Sequence, residues 1–252
     1  MKKYCALLAL LSSAAWAQHS LAPPQVGFMQ DGGGGIRPVK GLAGNFLVGS
    51  AASTGIVSAA FSGSFGMLKS DSALTVIDQQ GRTVMSVDAP AGPALFAFAI
   101  DGSPALAYFQ QSKTLQVWDG HAFRAVPQDI GDPVLSISLP AELIVQRDSG
   151  LWELGVDLAT GAIVWQTALP GVTAPVLMLA SGGLVYRDAK GVVVRSVDGT
   201  EKHIAAHLPA SLAFGQMGDG WVQVTDLASG RLSAFNIQPG HEAYYLLPEV
   251  RQ

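Results

Sequence analysis

The sequence holds a single cysteine, Cys5, inside an apolar run near its amino terminus. Beyond that run a disulfide framework and thiol chemistry are both excluded. Charge is scarce too: 13% of residues are charged, the formal net charge is −4, and no basic block occurs. Such a surface fits neither nucleic acid nor an anionic membrane. Polar low-complexity tracts are missing and 49% of residues are hydrophobic, so general disorder is excluded. No stretch combines sustained helical periodicity with capping residues, which predicts very little helix.

The longest apolar run, about Tyr4 to Ala15, is shorter than the ~20 residues that span a bilayer. Lys2 and Lys3 precede it and Ala15-Trp16-Ala17 follows, the pattern of a secretory signal peptide over residues 1–17. Its removal leaves no transmembrane segment and takes the formal charge from −4 to −6 with the loss of the two lysines. The expectation is export, to the periplasm or the medium. Residues 18–25, with Pro23-Pro24, read as an extended lead-in to one domain over 26–252.

What the chain has in abundance is short strands separated by glycine turns. Leu151 to Asp157 and Ala162 to Ala168 flank Leu158-Ala159-Thr160-Gly161, and the glycine can take the positive φ of a tight hairpin. This unit recurs. The turn glycines Gly81, Gly120, Gly161, Gly199 and Gly240 are spaced 39, 41, 38 and 41 residues apart. Five units of four strands can be written from Ile56 to Leu247, with prolines such as Pro93, Pro133, Pro175 and Pro209 in the links between them. Proline cannot donate to a central ladder, so it marks boundaries between sheets. Four short strands per period of about 40 residues predict an all-β propeller of five complete blades.

Ahead of these units, Val26 to Asp31 and Ile36 to Lys40 flank Gly32-Gly33-Gly34-Gly35. Pro38 rules out the helix a phosphate-cradling glycine loop requires, so the segment is a hairpin. It matches the third and fourth strands of a unit. The expectation is a sixth sheet, or the completion of one, with Asn45 to Ala51 as a further strand.

Asp157-Leu158-Ala159-Thr160-Gly161-Ala162-Ile163-Val164-Trp165 resembles the D-x-x-T-G-x-x-x-W hairpin of quinoprotein-like propeller repeats. Val76-Ile77-Asp78-Gln79-Gln80-Gly81, Val117-Trp118-Asp119-Gly120 and Thr225-Asp226-Leu227-Ala228-Ser229-Gly230 keep only the Asp-before-Gly turn, as in WD40 and YVTN-type repeats. The resemblance implies a fold that hosts many functions. The quinone cofactor of quinoprotein dehydrogenases calls for a larger ring, a metal and adjacent half-cystine chemistry, from which this chain departs. No cofactor is expected.

Catalytic signals are equally sparse. The five strands expected to line the central channel, such as Ala94 to Ile100, contain no Asp, Glu, His or Asn, so they offer no hard-oxygen calcium site. His203 and His207 are four apart, but on a strand and loop that spacing gives no shared zinc site, and no metal is expected. No serine sits in a G-x-S-x-G elbow. Charge does recur in the loops between second and third strands, at Lys69, Lys113, Arg147, Arg187 and Asp188. In a propeller these loops share a face with the proline-bearing links. The resulting reading is a non-catalytic scaffold whose charged ring binds an envelope protein, a peptide or a glycan. The alternative is a hydrolase or lyase acting on a sugar or lactone through loop-borne Asp71, Asp132 or Asp188.

Overall fold

A computed structural model describes residues 23–99, 103–218 and 220–249. The expected signal peptide lies outside them, as does most of the lead-in. Everything described is strand, turn or irregular, with no helix. An amino-terminal sheet comprises β1 (Gln25–Gln30), β2 (Ile36–Leu42) and β3 (Asn45–Val48). Blade 1 follows as β4 (Ser58–Phe61), β5 (Phe65–Lys69), β6 (Ala73–Asp78) and β7 (Thr83–Asp88). Blade 2 is β8 (Ala94–Phe98), β9 (Ala105–Phe109), β10 (Thr114–Trp118) and β11 (Phe123–Val126). Blade 3 is β12 (Val134–Ser138), β13 (Glu142–Arg147), β14 (Gly150–Val156) and β15 (Ile163–Ala168). Blade 4 is β16 (Val176–Met178), β17 (Leu184–Arg187), β18 (Gly191–Arg195) and β19 (Glu201–Ala205). Blade 5 is β20 (Leu212–Gly218), β21 (Trp221–Asp226), β22 (Leu232–Asn236) and β23 (Ala243–Leu246). Within each sheet the strands pair antiparallel in chain order. The protein is a six-sheet β-propeller with five complete blades, as the spacing predicts.

The six sheets close on one another through apolar side chains. Alternate residues of a strand face opposite neighbours, so one strand feeds two interfaces. Phe28 joins Ile36, Ile56, Phe61, Leu68 and Ile77 against blade 1, while the adjacent Met29 joins Val39, Phe46, Met217 and Leu247 against blade 5. Similar clusters fill the other four seams. Two serine hydroxyls stitch first strands across seams. Ser58 Oγ accepts from Ala94 N at 2.9 Å and Ser136 Oγ from Met178 N at 2.8 Å.

The amino-terminal sheet departs from expectation in its register within the ring. β1 starts beside Met217-Gly218, where β20 ends, and finishes with Gly32 against Gly230 in the β21–β22 turn. It therefore runs in the sense of a second strand, and its glycine turn is a second-to-third turn. The hairpin supplies second and third strands, not third and fourth, and β3 is the fourth. Among the described residues the sheet has no first strand, and β20 packs directly on β4. Sequence could not separate the two registers, because both turn types carry the same Asp-then-Gly pattern: Asp31 Oδ1 accepts from Gly33 N and Gly35 N much as Asp78 Oδ1 accepts from Gln80 N and Arg82 N.

Close approach at the seam depends on glycine. A Cβ on Gly27 would lie 2.0 Å from Met217 O. Both β1 and β20 carry a bulge at this point, between Gln25 and Gly27 and between Gln216 and Gly218. The extra residue on each strand bends it to follow the other.

Candidate functional site

The loops between second and third strands do lie against the links between sheets. A set of side chains latches one to the other. Lys113 Nζ donates to Gly131 O at 2.9 Å, and Gln128 Nε2 donates back to Lys113 O. Arg147 Nε donates to Asp132 Oδ2 at 2.7 Å and Nη1 to Gln166 Oε1 at 3.1 Å, with the guanidinium 4.9 Å from the Trp152 ring centre. Arg187 Nη1 donates to Pro209 O at 3.1 Å and Ala210 O at 2.8 Å. Each cation thus places a donor on a carbonyl or carboxylate of a link, and Arg147 also reaches Gln166 on β15.

Lys69 behaves differently from the sequence expectation. It is buried, at 0% exposure, and its Nζ donates to Ser70 O and to Asp71 O of its own turn. Burial pushes its pKa down, against the opposing influence of Asp71. Its ammonium is satisfied inside the turn and is not a surface group.

Asp188 shapes its own loop. Oδ1 accepts from Lys190 N at 2.7 Å and Gly191 N at 2.9 Å, and Oδ2 lies 3.0 Å from His203 Nδ1. Burial pushes its pKa up, but these hydrogen bonds together with His203 outweigh it and the net shift is downward. A carboxyl held ionised this way is a poor general acid. Asp132 is engaged by Arg147, and Asp71 contributes a backbone carbonyl to Lys69. Nothing brings these three acids into one catalytic arrangement.

One latch escaped sequence reasoning. Arg37 Nε donates to Asp31 Oδ2 at 2.7 Å and Nη1 to Gly49 O at 3.3 Å, tying the glycine turn to the link into blade 1. The signal was an arginine two residues past a four-glycine turn that opens on aspartate.

The central channel is narrow, with a volume of about 220 Å³. First strands line most of it. Where the amino-terminal sheet has no first strand, Gln30, Gln223 and Thr225 fill the gap. Among the described residues no group of three or more His, Cys, Asp or Glu side chains is placed to hold a metal ion.

No family model matches the chain, and no curated protein sequence matches it. Solved structures do match. TolB from Acinetobacter baumannii aligns at 13% identity over 95% of this chain and 68% of its own, with a TM-score of 0.58. A chain of the nidogen/laminin complex aligns at 14% identity over 88% of this chain and 93% of its own, with a TM-score of 0.57. Dihydro-heme d1 dehydrogenase NirN aligns at 17% identity over 87% of this chain, which spans 52% of NirN, with a TM-score of 0.43. WD40 domains are among the further matches. The likeness is one of fold: a β-propeller resembling these proteins.

Proposed function

We propose that this protein is an exported, non-catalytic binding scaffold that recognises an envelope partner with its latched loop face. The observation that carries the reading is the repeated latch. Lys113, Arg147 and Arg187 fix loop to link in three successive blades. Loops held in one conformation lose little entropy on binding, which favours recognition by a preformed surface. The contacting groups are then the charges left outward on these loops, Asp71, Asp148 and Lys190, together with the exposed parts of Lys113, Arg147, Arg187 and Asp188. Lys69 supports its turn from within.

The test is cross-linking capture from native envelope with the natural chain beside a variant carrying Asp71→Lys, Asp148→Lys and Lys190→Glu, which spares every latch. One defined partner held by the natural chain and lost by the equally stable variant is the expected result. Identical capture by both chains contradicts the loop face as the binding surface.

A further inference from the structure

On the face away from the latched loops the chain forms a cleft of about 590 Å³ between the amino-terminal sheet and blades 1 and 5. A volume in this range suits a small ligand. Its lining has an unusual chemistry. Gln25, Gln79, Gln80, Asn236 and Gln238 contribute five carboxamides, Trp221 contributes an aromatic ring, and no charged side chain of the described residues takes part.

Most of these amides are anchored at one end. Gln25 Nε2 donates to Gln79 O at 3.0 Å, and Gln79 Nε2 donates to Gly63 O. Gln80 Oε1 accepts from Arg82 Nη2 at 3.1 Å, and Asn236 Oδ1 accepts from Gln238 N at 2.9 Å. The remaining ends, Oε1 of Gln25 and Gln79 and the NH₂ groups of Gln80 and Asn236, have no protein partner among the described residues. The cleft therefore presents fixed acceptors and fixed donors together. Trp221 is half-buried, braced edge-on by Phe46 at 5.5 Å and at a tilt by Tyr245 at 5.9 Å, so its ring is held in place.

We propose that this cleft binds a neutral saccharide of one or two residues. A sugar hydroxyl is at once a donor and an acceptor, and a carboxamide offers both functions without charge. The apolar face of a pyranose matches a flat indole, which buries area and leaves polar edges to the surrounding amides. A phosphate or carboxylate ligand would call for an arginine or lysine, and among the described residues none lines this cleft. Gly27, Gly41 and Gly218 also line the cleft. The site is on the face away from the latched loops and does not depend on their role.

Saturation-transfer NMR and calorimetry of the natural chain test this with glucose, galactose, N-acetylglucosamine, maltose, lactose and diacetylchitobiose. The expected result is saturable binding of at least one sugar, weakened about tenfold or more in Gln80→Ala/Gln238→Ala, since two lost hydrogen bonds account for a change of that size. Both residues are exposed, so the fold tolerates their truncation. The loop-face variant with Asp71→Lys, Asp148→Lys and Lys190→Glu keeps full sugar binding, which separates failure of this inference from failure of the loop-face reading. Absence of saturable binding to every sugar overturns the proposal. So does binding unchanged in the double variant, or equal binding of an acetylated, amidated triglycine.

Discussion

The side-chain amide of Gln223 grips the backbone of Gln30 from both sides, with Nε2 donating to Gln30 O at 2.9 Å and Oε1 accepting from Gln30 N at 3.1 Å. A paired strand would offer Gln30 the same two bonds. The amino-terminal sheet has no first strand among the described residues, so the inner edge of β1 faces the channel, and unpaired edges attract foreign strands. One glutamine on β21 stands in for the missing neighbour. Gln30 Nε2 then donates to Ile56 O at 2.8 Å, tying the same residue to the link into blade 1.

Gln223→Leu leaves a backbone N–H and C=O of Gln30 without these partners. Each unsatisfied group costs about 1–3 kcal/mol, and at this chain length each kcal/mol lowers Tm by roughly 2–4 °C. Calorimetry should record a clear fall in Tm, while Gln238→Leu on the exposed turn leaves it nearly unchanged.

Phe28→Ala removes a ring that stacks on Phe61 at 5.2 Å and fills the seam with blade 1. A loss of about 3–5 kcal/mol is expected from the transfer and cavity costs. Leu246→Ala, at a residue 68% exposed, should stay within about 0.5 kcal/mol by denaturant unfolding.

Gly161→Ala tests the recurring turn. Gly161 has φ +74°, and a Cβ there would lie 1.1 Å from Pro127 O. The link between blades 2 and 3 has to shift to admit a methyl group, so a strong loss of Tm is expected. Gly199→Ala meets no atom within 4 Å and carries only the backbone cost of φ +84°, about 1 kcal/mol.

These cases mark what could be read from residues alone. Gly161 and its equivalents at Gly81, Gly120, Gly199 and Gly240 announce the blades, because positive φ and a turn capped by Asp, or by Asn236 before Gly240, are local demands written into adjacent residues. Phe28 and Met29 were legible as strand residues by their place in the hairpin. Which sheet each one faces was not, since that depends on the direction of β1 within the ring. The latch partners were hidden for a related reason. Arg187 lies 22 and 23 residues from the carbonyls it holds, and nothing in a backbone carbonyl marks it in sequence. Lys69 reads as a loop charge because it ends a strand, yet it is buried and its ammonium is held by carbonyls of its own turn. The amide cleft gathers residues from Gln25 to Gln238, so only ring closure assembles it.

Glu153 gives the fold a pH signature. Burial pushes its pKa up, the nearby Glu142 adds to this, and Arg195 opposes them. A raised folded pKa means the stabilising contribution is complete below the ordinary glutamate value of about 4.3 and is lost as pH rises through the folded value. Glu153→Gln removes that loss. The variant should exceed the natural chain in Tm near neutral pH and converge with it at acid pH, as thermal unfolding across pH would record.

The loop face as one preformed platform stands or falls with its latches, and hydrogen exchange of the links measures this most directly. Arg187→Met keeps the apolar stem and deletes both bonds to Pro209 O and Ala210 O. Exchange at least about tenfold faster is expected over residues 206–213 in the variant, with blades 1 and 2 unchanged, because loss of about 1.4 kcal/mol of local stability has that effect. Equal exchange in the two chains would contradict it, leaving the arginine as solvated surface and the loops without the rigidity that the binding role requires.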